Sequence, residues 1–586
     1  MSIQHYLPSY GLYIGLFVSA ILCVALALFF LLCRVKVVSY STLLWWALAL
    51  LVAIQPWLFE TAYADRLLFP SGGLLLMGFL SLAVAQLDDR QRQRAAHFFA
   101  LVLFFAALAT VASQLVQALH VKPLMGSLVF RPNGNRLVGN VAQVNQAAFV
   151  GCMGMAAAVY FVHHYRVRHK GVWLILALLL CFLGMGLGFS ASRAGLILAL
   201  VALGSGVLYQ GSPRRRLLPS VLFGLCVMVG YQLGTALMNH RLDVKTSAVG
   251  RMVGENSLHL RTSLLEQASM AFFQNPILGN GFDTMNHFGL QHAEEIHWFT
   301  SANHTHNLIA QMMAEFGVVG LVLLLLFAWL ILKNLRLSLP HHLALAYGVL
   351  GIIALYSLSE YPLWYLKYLM VAVFFVALLD KSKIVLPINV SYPSAMTAVA
   401  LFVGSVFYIG HYQAYRQMAY LVRNSKVPQD KKVAAYHNLP DVIGYKKYKE
   451  LNWFLIMPIA KDKTTLQAQA KLGDRVLTQF LSASMLVKQA QILALLGESE
   501  RADGLYRATC IFGSYTFCQV AIDNLCQNSA EQWHIYRPYL DRLSVWHQTR
   551  FGQPVPKPSP SVQQKIAKNP SQSPICAVQS AASGLE

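Results

Sequence analysis

Charge is what this chain has least of. Only 12% of its 586 residues are Asp, Glu, Lys or Arg, while 56% are hydrophobic. A single hydrophobic core stops growing at roughly 250–300 residues, so this balance excludes a soluble globular protein. Acidic residues are scarcer still, 25 against 46 Lys and Arg, which leaves a net charge of +21. An excess of that sign suits nucleic acid, but neither a recognition motif nor an aromatic-basic platform accompanies it. Loops facing anionic lipid headgroups account for it better, so the lipid bilayer is the expected partner and nucleic acid is not. The first apolar run also lacks a charged n-region and a small-residue cleavage site, and reads as a retained span rather than a signal peptide.

Long apolar runs are abundant. A spanning helix needs ~20 apolar residues, and twelve stretches qualify: 11–33, 39–59, 69–87, 96–119, 146–162, 172–191, 194–210, 217–238, 307–332, 343–359, 367–380 and 392–412. The expected fold is therefore all-α and polytopic. Lys and Arg collect in alternate loops, at Arg34/Lys36, Arg90/Arg92/Arg94, Arg166/Arg168/Lys170, Arg214/Arg215/Arg216, Lys333/Arg336 and Lys381/Lys383. Arg66, Arg193 and Lys367 are the sparse cations of the other set. The positive-inside rule puts the first set in the cytoplasm, and the segments 120–145 and 239–306, the C-terminal region and the short N-terminus outside.

The chain then divides into spans one to eight (1–238), a large outer loop (239–306), spans nine to twelve (307–412), a helical domain (413–551) and a tail (552–586). Residues 486–497 have helical periodicity and end on Gly497. A second amphipathic stretch through Ala502, Leu505, Tyr506 and Ala508 completes a hairpin of the tetratricopeptide kind. The tail is rich in Pro, Ser, Gln and Lys and is expected to be disordered. Cys510, Cys518, Cys526 and Cys576 fall outside, where disulfides can form, but spacing does not give their pairing.

The chemistry-bearing segment is Ser301-Ala302-Asn303-His304-Thr305-His306-Asn307, at the mouth of the ninth span. Histidine exchanges protons near neutral pH, and a helix N-terminus favours an anion such as phosphate. Asn307, Gln311 and Glu315 recur every four residues, a polar stripe entering an apolar helix, which is either a structural network or the wall of a site. His287, His292, His297, Glu294 and Glu295 lie nearby. His292 and His297, however, are five apart rather than the four that pairs ligands on one helical face. Arg261, on an amphipathic stretch ending at the Pro/Gly turn 275–282, and Arg193, between two spans, are candidate phosphate contacts or solvated cations.

Four segments together resemble the bacterial O-oligosaccharyltransferases, protein-glycosylation ligases related to O-antigen ligases and polymerases. They are Gly139-Asn140-Val141-Ala142-Gln143-Val144-Asn145-Gln146, Ser192-Arg193, His304-Thr305-His306-Asn307 with Gln311, Ala314, Glu315 and Gly317, and Glu360-Tyr361-Pro362-Leu363-Trp364-Tyr365. Family members often carry His and Arg where this chain has Asn140 and Val144. The resemblance implies a polyprenyl diphosphate-linked oligosaccharide as donor, at the periplasmic face of the bacterial inner membrane, and a Ser or Thr of pilin or another exported protein as acceptor. Displacement at the anomeric carbon needs a base for the acceptor hydroxyl and cations for the departing diphosphate. His306, the second histidine and nearest the helix mouth, is the expected base, oriented by His304 and Asn307, with Arg193 and Arg261 expected on the donor diphosphate. Gln143, Asn145, Gln311, Glu315, Glu360 and Tyr361 are expected in support. No metal and no cofactor are expected, and a single displacement inverts the anomeric centre. Ligation to lipid A-core, glycan polymerisation and lipid-linked glycan flipping are the alternatives.

Overall fold

A computed structural model describes residues 10–59, 61–121, 123–125, 129–130, 136–141, 143–165, 169–242, 258–296, 301, 303–390, 392–512, 517–566 and 575–576. Ala142, Arg166, Arg168 and His297 lie outside the described residues. Eight apolar helices come first: α1 (Tyr10–Leu32), α2 (Tyr40–Leu58), α3 (Leu68–Ala85), α4 (Asp89–Ala118), α5 (Val144–Tyr165), α6 (Lys170–Ser190), α7 (Arg193–Gly204) and α8 (Pro213–Leu242). The stretch expected as one large loop holds two helices, α9 (Leu258–Gln274) and α10 (Met285–Gln291). Then come α11 (Leu308–Leu332), α12 (His341–Ser357), α13 (Leu366–Leu379) and α14 (Tyr392–Arg423). Among the described residues nine of these helices are long and apolar enough to cross a membrane, and α7, α12 and α13 are shorter apolar helices at the remaining expected positions. The chain is an all-α, multi-pass membrane protein.

The bundle is built around α5. Its apolar window is 94% buried, against 18–56% for the other eight candidate spans, so the residues at its N-terminus emerge in the middle of the bundle end. Ala147, Ala148, Gly151 and Ala156 to Ala158 make that centrality possible, because small side chains let neighbouring helices close in. Where Gly154 stands, a Cβ would lie 2.3 Å from the Cβ of Ala107 on α4. At the far end, β1 (Val35–Val38) and β2 (Ile384–Val390) pair antiparallel. The buried Asp380 there accepts from the Ser41 amide at 2.8 Å.

α11 is broken at Gly317, whose φ of 58° and ψ of −145° suit only glycine. The turn 275–282 inserts there. Val318 donates to the Pro276 carbonyl at 2.8 Å and Val319 to that of Ile277 at 3.3 Å; the Asn280 and Gly281 amides bond the carbonyls of Ala314 and Glu315 at 2.9 and 3.1 Å. These bonds satisfy the backbone groups that the break frees, which an apolar environment requires. α9 thus dips alongside α11 to about 15 Å below the helix mouth, at 1.5 Å per residue.

Eight further helices form the C-terminal domain: α15 (Gln429–His437), α16 (Lys446–Ile456), α17 (Lys463–Leu477), α18 (Ala483–Leu496), α19 (Ser499–Ile511), α20 (Cys518–Glu531), α21 (Trp533–Phe551) and α22 (Pro560–Ile566). The expected hairpin is α18 and α19, with Gly497 as left-handed C-cap at φ 80°. Over residues 552–566 and 575–576 the structure departs from the expectation of a disordered tail. Val555 and Val562 are buried in the domain core, α22 packs on α20, and a disulfide joins Cys576 to Cys526 of α20. A few apolar anchors and one covalent bond outweigh the polar composition. Residues 567–574 and 577–586 lie outside the described set. A second disulfide joins Cys510 and Cys518.

Asp283 joins this domain to the bundle. Its carboxylate pairs with Arg66, between α2 and α3, at 3.3 Å and with Lys447 of α16 at 3.6 Å. Its amide donates to Glu315 Oε1 of α11 at 2.7 Å, and its carbonyl accepts from Arg66 at 2.8 Å. Tyr63 and Arg475 both bond Glu450, and Ala293 enters the core of the C-terminal domain.

Candidate active site

The mouth of α11 is shaped by its own polar residues. Asn307 is the N-cap, its Oδ1 accepting from the amides of Ile309 and Ala310 at 3.0 and 3.1 Å. Gln311, one turn in, accepts from the Thr305 amide at 2.6 Å, and the Thr305 hydroxyl donates to the Asn307 carbonyl at 2.8 Å. His306 is pinched between these bonds in a left-handed conformation, φ 54°, which turns its ring out of the helix line.

His306 Nδ1 meets Glu360 Oε2 at 3.2 Å. Glu360 follows α12, its amide bonded to the Tyr356 carbonyl, just before the 3-10 turn Pro362–Trp364. Its side chain is 7% exposed. Oε1 accepts from Asn145 Nδ2 at 2.8 Å, and Arg261 of α9 lies 3.7 Å from it with its own side chain 43% exposed. A pair that open contributes little by Coulomb attraction alone; the buried bonds to Asn145 and His306 hold the carboxylate. Asn145 is itself fixed, its Oδ1 accepting from Ser192 Oγ at 3.0 Å and Arg136 Nη2 at 3.1 Å. Four distant stretches, 136–145, 192, 261 and 306, therefore converge on Glu360.

The second histidine does something else. The His304 ring stacks on Tyr361 with centroids 3.4 Å apart, and meets His306 edge-on at 4.4 Å. Its Nδ1 is enclosed with no hydrogen-bond partner among the described residues. Burial, with His306 close by, pushes His304 down to about 3, so the ring stays neutral. Burial likewise pushes the Tyr361 hydroxyl far up, and it remains protonated. The histidines, Gln311, Glu360 and Tyr361 line one shallow recess.

The expected site residues thus separate by position. His306, Glu360, Asn145 and Arg261 share one network, and Tyr361 reaches it through ring contacts. His304 and Asn307, expected to orient His306, make no hydrogen bond to it; Glu360 makes that bond. Asn307 spends its oxygen on the helix cap, and its Nδ2 reaches the Leu358 carbonyl at 3.3 Å. Arg193 is the first residue of α7, directly after Ser192. Gln143 accepts from the Gln146 amide at 2.5 Å, a local bond that opens α5. Glu315 is fully buried and serves the Asp283 turn. Arg136 is the residue that sequence reasoning missed: an arginine amid the loop 120–145 has no periodic context, and only the fold shows it donating to the Ser190 carbonyl at 2.6 Å and to Asn145. Among the described residues no group of three His, Cys, Asp or Glu is arranged to hold a metal.

Chemically, the carboxylate on Nδ1 fixes that nitrogen as the donor and leaves His306 Nε2 as a proton acceptor, while Arg261 brings positive charge beside the pair. A family model described as O-antigen ligase matches residues 176–325, and one described as the C-terminal part of a virulence factor membrane-bound polymerase matches 344–524. The first takes in Arg193, Arg261, His304, His306 and Gln311, the second Glu360 and Tyr361. Neither a curated protein nor a solved structure matches the chain. On these two matches, and on the membrane bundle that carries them, the chain belongs to the O-antigen ligase/polymerase superfamily of membrane glycosyl-transfer enzymes.

Proposed function

We propose that the chain is an O-oligosaccharyltransferase, moving a glycan en bloc from a polyprenyl diphosphate carrier to a Ser or Thr hydroxyl of pilin or another exported protein. The observation that carries this reading is the 3.2 Å His306–Glu360 pair, with Tyr361 stacked on His304. The Glu-Tyr-Pro-Leu-Trp-Tyr segment, which by resemblance is particular to the protein-glycosylating branch, supplies the partner of each histidine. His306 Nε2 takes the proton from the acceptor hydroxyl as its oxygen forms a bond to the anomeric carbon. The bond from that carbon to the phosphate oxygen breaks, and the polyprenyl diphosphate leaves with the electron pair. A positioned base of this kind is worth ~10²–10⁴-fold. Arg261 and Arg193 offset the negative charge that builds on the leaving group. One base and one displacement give inversion.

The distribution of Lys and Arg supports a site facing the periplasm from the inner membrane, and the two disulfides suit an oxidising compartment. The polymerase description of the match over 344–524 favours a second reading, in which the acceptor is a sugar hydroxyl of another lipid-linked glycan. Purified lipid-linked donor, supplied in turn with pilin, core lipopolysaccharide or a second lipid-linked glycan, tests both. Glycan on pilin alone is the expected result; transfer only to either glycolipid would overturn the protein-acceptor assignment.

A further inference from the structure

We propose that Lys367 is a donor-binding residue that engages the phosphate groups of the lipid carrier; this rests on the donor class proposed above. Two of the cations already described have polar partners within the protein. Arg136 bonds the Ser190 carbonyl and Asn145, and Arg261 faces Glu360. Lys367, the second residue of α13, is different. Its Nζ makes ring contacts, 4.6 Å from the centroid of Tyr368 and 5.8 Å from that of Tyr365, and no carboxylate among the described residues lies within 4.0 Å of it. It is only partly exposed. Ring faces orient an ammonium without neutralising it, so a half-desolvated positive charge is left to be matched by an incoming anion.

Its position ties it to the site from two sides. The Tyr368 hydroxyl donates to Gln146 Oε1 at 3.3 Å, next in sequence to the Asn145 that binds Glu360. Tyr365 stacks on Tyr361 at 5.7 Å, and Tyr361 on His304. The ammonium therefore stands at the foot of the aromatic stack that ends on the histidines, beside the N-terminus of central α5. Among the described residues Glu360 is the one carboxylate in this network, and it is already shared between His306, Asn145 and Arg261. A diphosphate brings several charges and acceptor oxygens, and a flexible lysine meets it as a point charge.

Farnesyl diphosphate, a short polyprenyl diphosphate, is the probe. Its binding to the full-length protein is measured by calorimetry in phosphatidylcholine vesicles, with and without phosphatidylglycerol. Lys367→Met is expected to weaken binding about 10- to 100-fold in both membranes, and Lys367→Arg to recover most of it. Lys367→Gln replaces the Met variant if the latter lowers the melting temperature. Unchanged binding in the neutral variants overturns the inference, as does a loss confined to phosphatidylglycerol vesicles, which marks a headgroup anchor. The readout needs no acceptor, so a wrong acceptor assignment leaves it intact. Absence of binding by the wild-type protein would sink the inference and the donor reading together, whereas glycan transfer with unaffected Lys367 variants sinks the inference alone.

Discussion

Glu360→Gln tests the site at its centre. The carboxylate accepts from His306 on one oxygen, at 3.2 Å, and from Asn145 on the other, at 2.8 Å. A carboxamide has a single oxygen, so one bond must go. Asn145 cannot rotate to compensate, because its own oxygen is held by Ser192 and Arg136. Aiming the new amide nitrogen at Asn145 would set two donors face to face near Arg261, a buried mismatch of about 1–3 kcal/mol. The oxygen therefore stays with Asn145 and the nitrogen faces His306. Nδ1 must then accept, the ring proton moves to Nε2, and the base is lost without any change of shape. Loss of a correctly held base costs ~10²–10⁴-fold in kcat, or about 2.7–5.4 kcal/mol at 1.36 per decade. The KM for donor should hold or fall, since a negative charge beside Arg261 has gone. Initial rates with purified lipid-linked donor and acceptor, on protein whose melting temperature matches wild type, give both constants. The variant combined with His306→Ala should be no slower than His306→Ala alone, because the two act as one unit. A kcat within about threefold of wild type would refute the tautomer argument.

Two further perturbations probe what holds the histidine loop. At Gly317→Ala the new methyl would sit 2.5 Å from the Pro276 carbonyl oxygen at a φ of 58°, which should cost at least about 2 kcal/mol; Gly404→Ala, with nothing within 4 Å, is the control for a melting curve in detergent. Equal melting of the two would mean that the turn does not pin α11. His304 sits at about 3 in the closed loop against 6.5 when released. The open loop therefore binds the extra proton between those values, and closure weakens as pH falls through 6.5, by about 1.4 kcal/mol at pH 5.5. Hydrogen exchange over residues 303–307 should show that loss, and His304→Phe should abolish it. A pH-independent opening would exclude a buried neutral His304.

The membrane architecture was legible because hydrophobic runs are local and long. The mouth of α11 was legible too, since a polar stripe at every fourth residue leaves few places for it to face. What could not be read was pairing across the fold. Glu360 lies 54 positions beyond His306, on the far side of α12, and nothing periodic connects them. His304 and Asn307 were the natural candidates to orient His306 because they flank it. The backbone instead turns His306 away through a left-handed residue, and hands Asn307 to the cap. Asn275-Pro276 and its glycines were recognisable as a turn; that the turn inserts into a break in α11 depends on Gly317, which from sequence alone is one more small residue in a span. The tail misled for a simpler reason. Composition averages over residues, whereas order there hangs on Val555, Val562 and Cys576.

The junction at Asp283 has a consequence for domain exchange. Its partners come from three separate stretches, Arg66 between α2 and α3, Lys447 and Gln479 in the C-terminal domain, and Glu315 in α11. A graft cut at residue 413, the obvious seam in hydropathy, would deprive Asp283 of Lys447 and Gln479 and leave its carboxylate with Arg66 alone. A chimera that exchanges the C-terminal domain would have to carry the turn after α2, the segment around α10 and that domain as one cassette, so this part of the protein is inherited as a block rather than traded module by module.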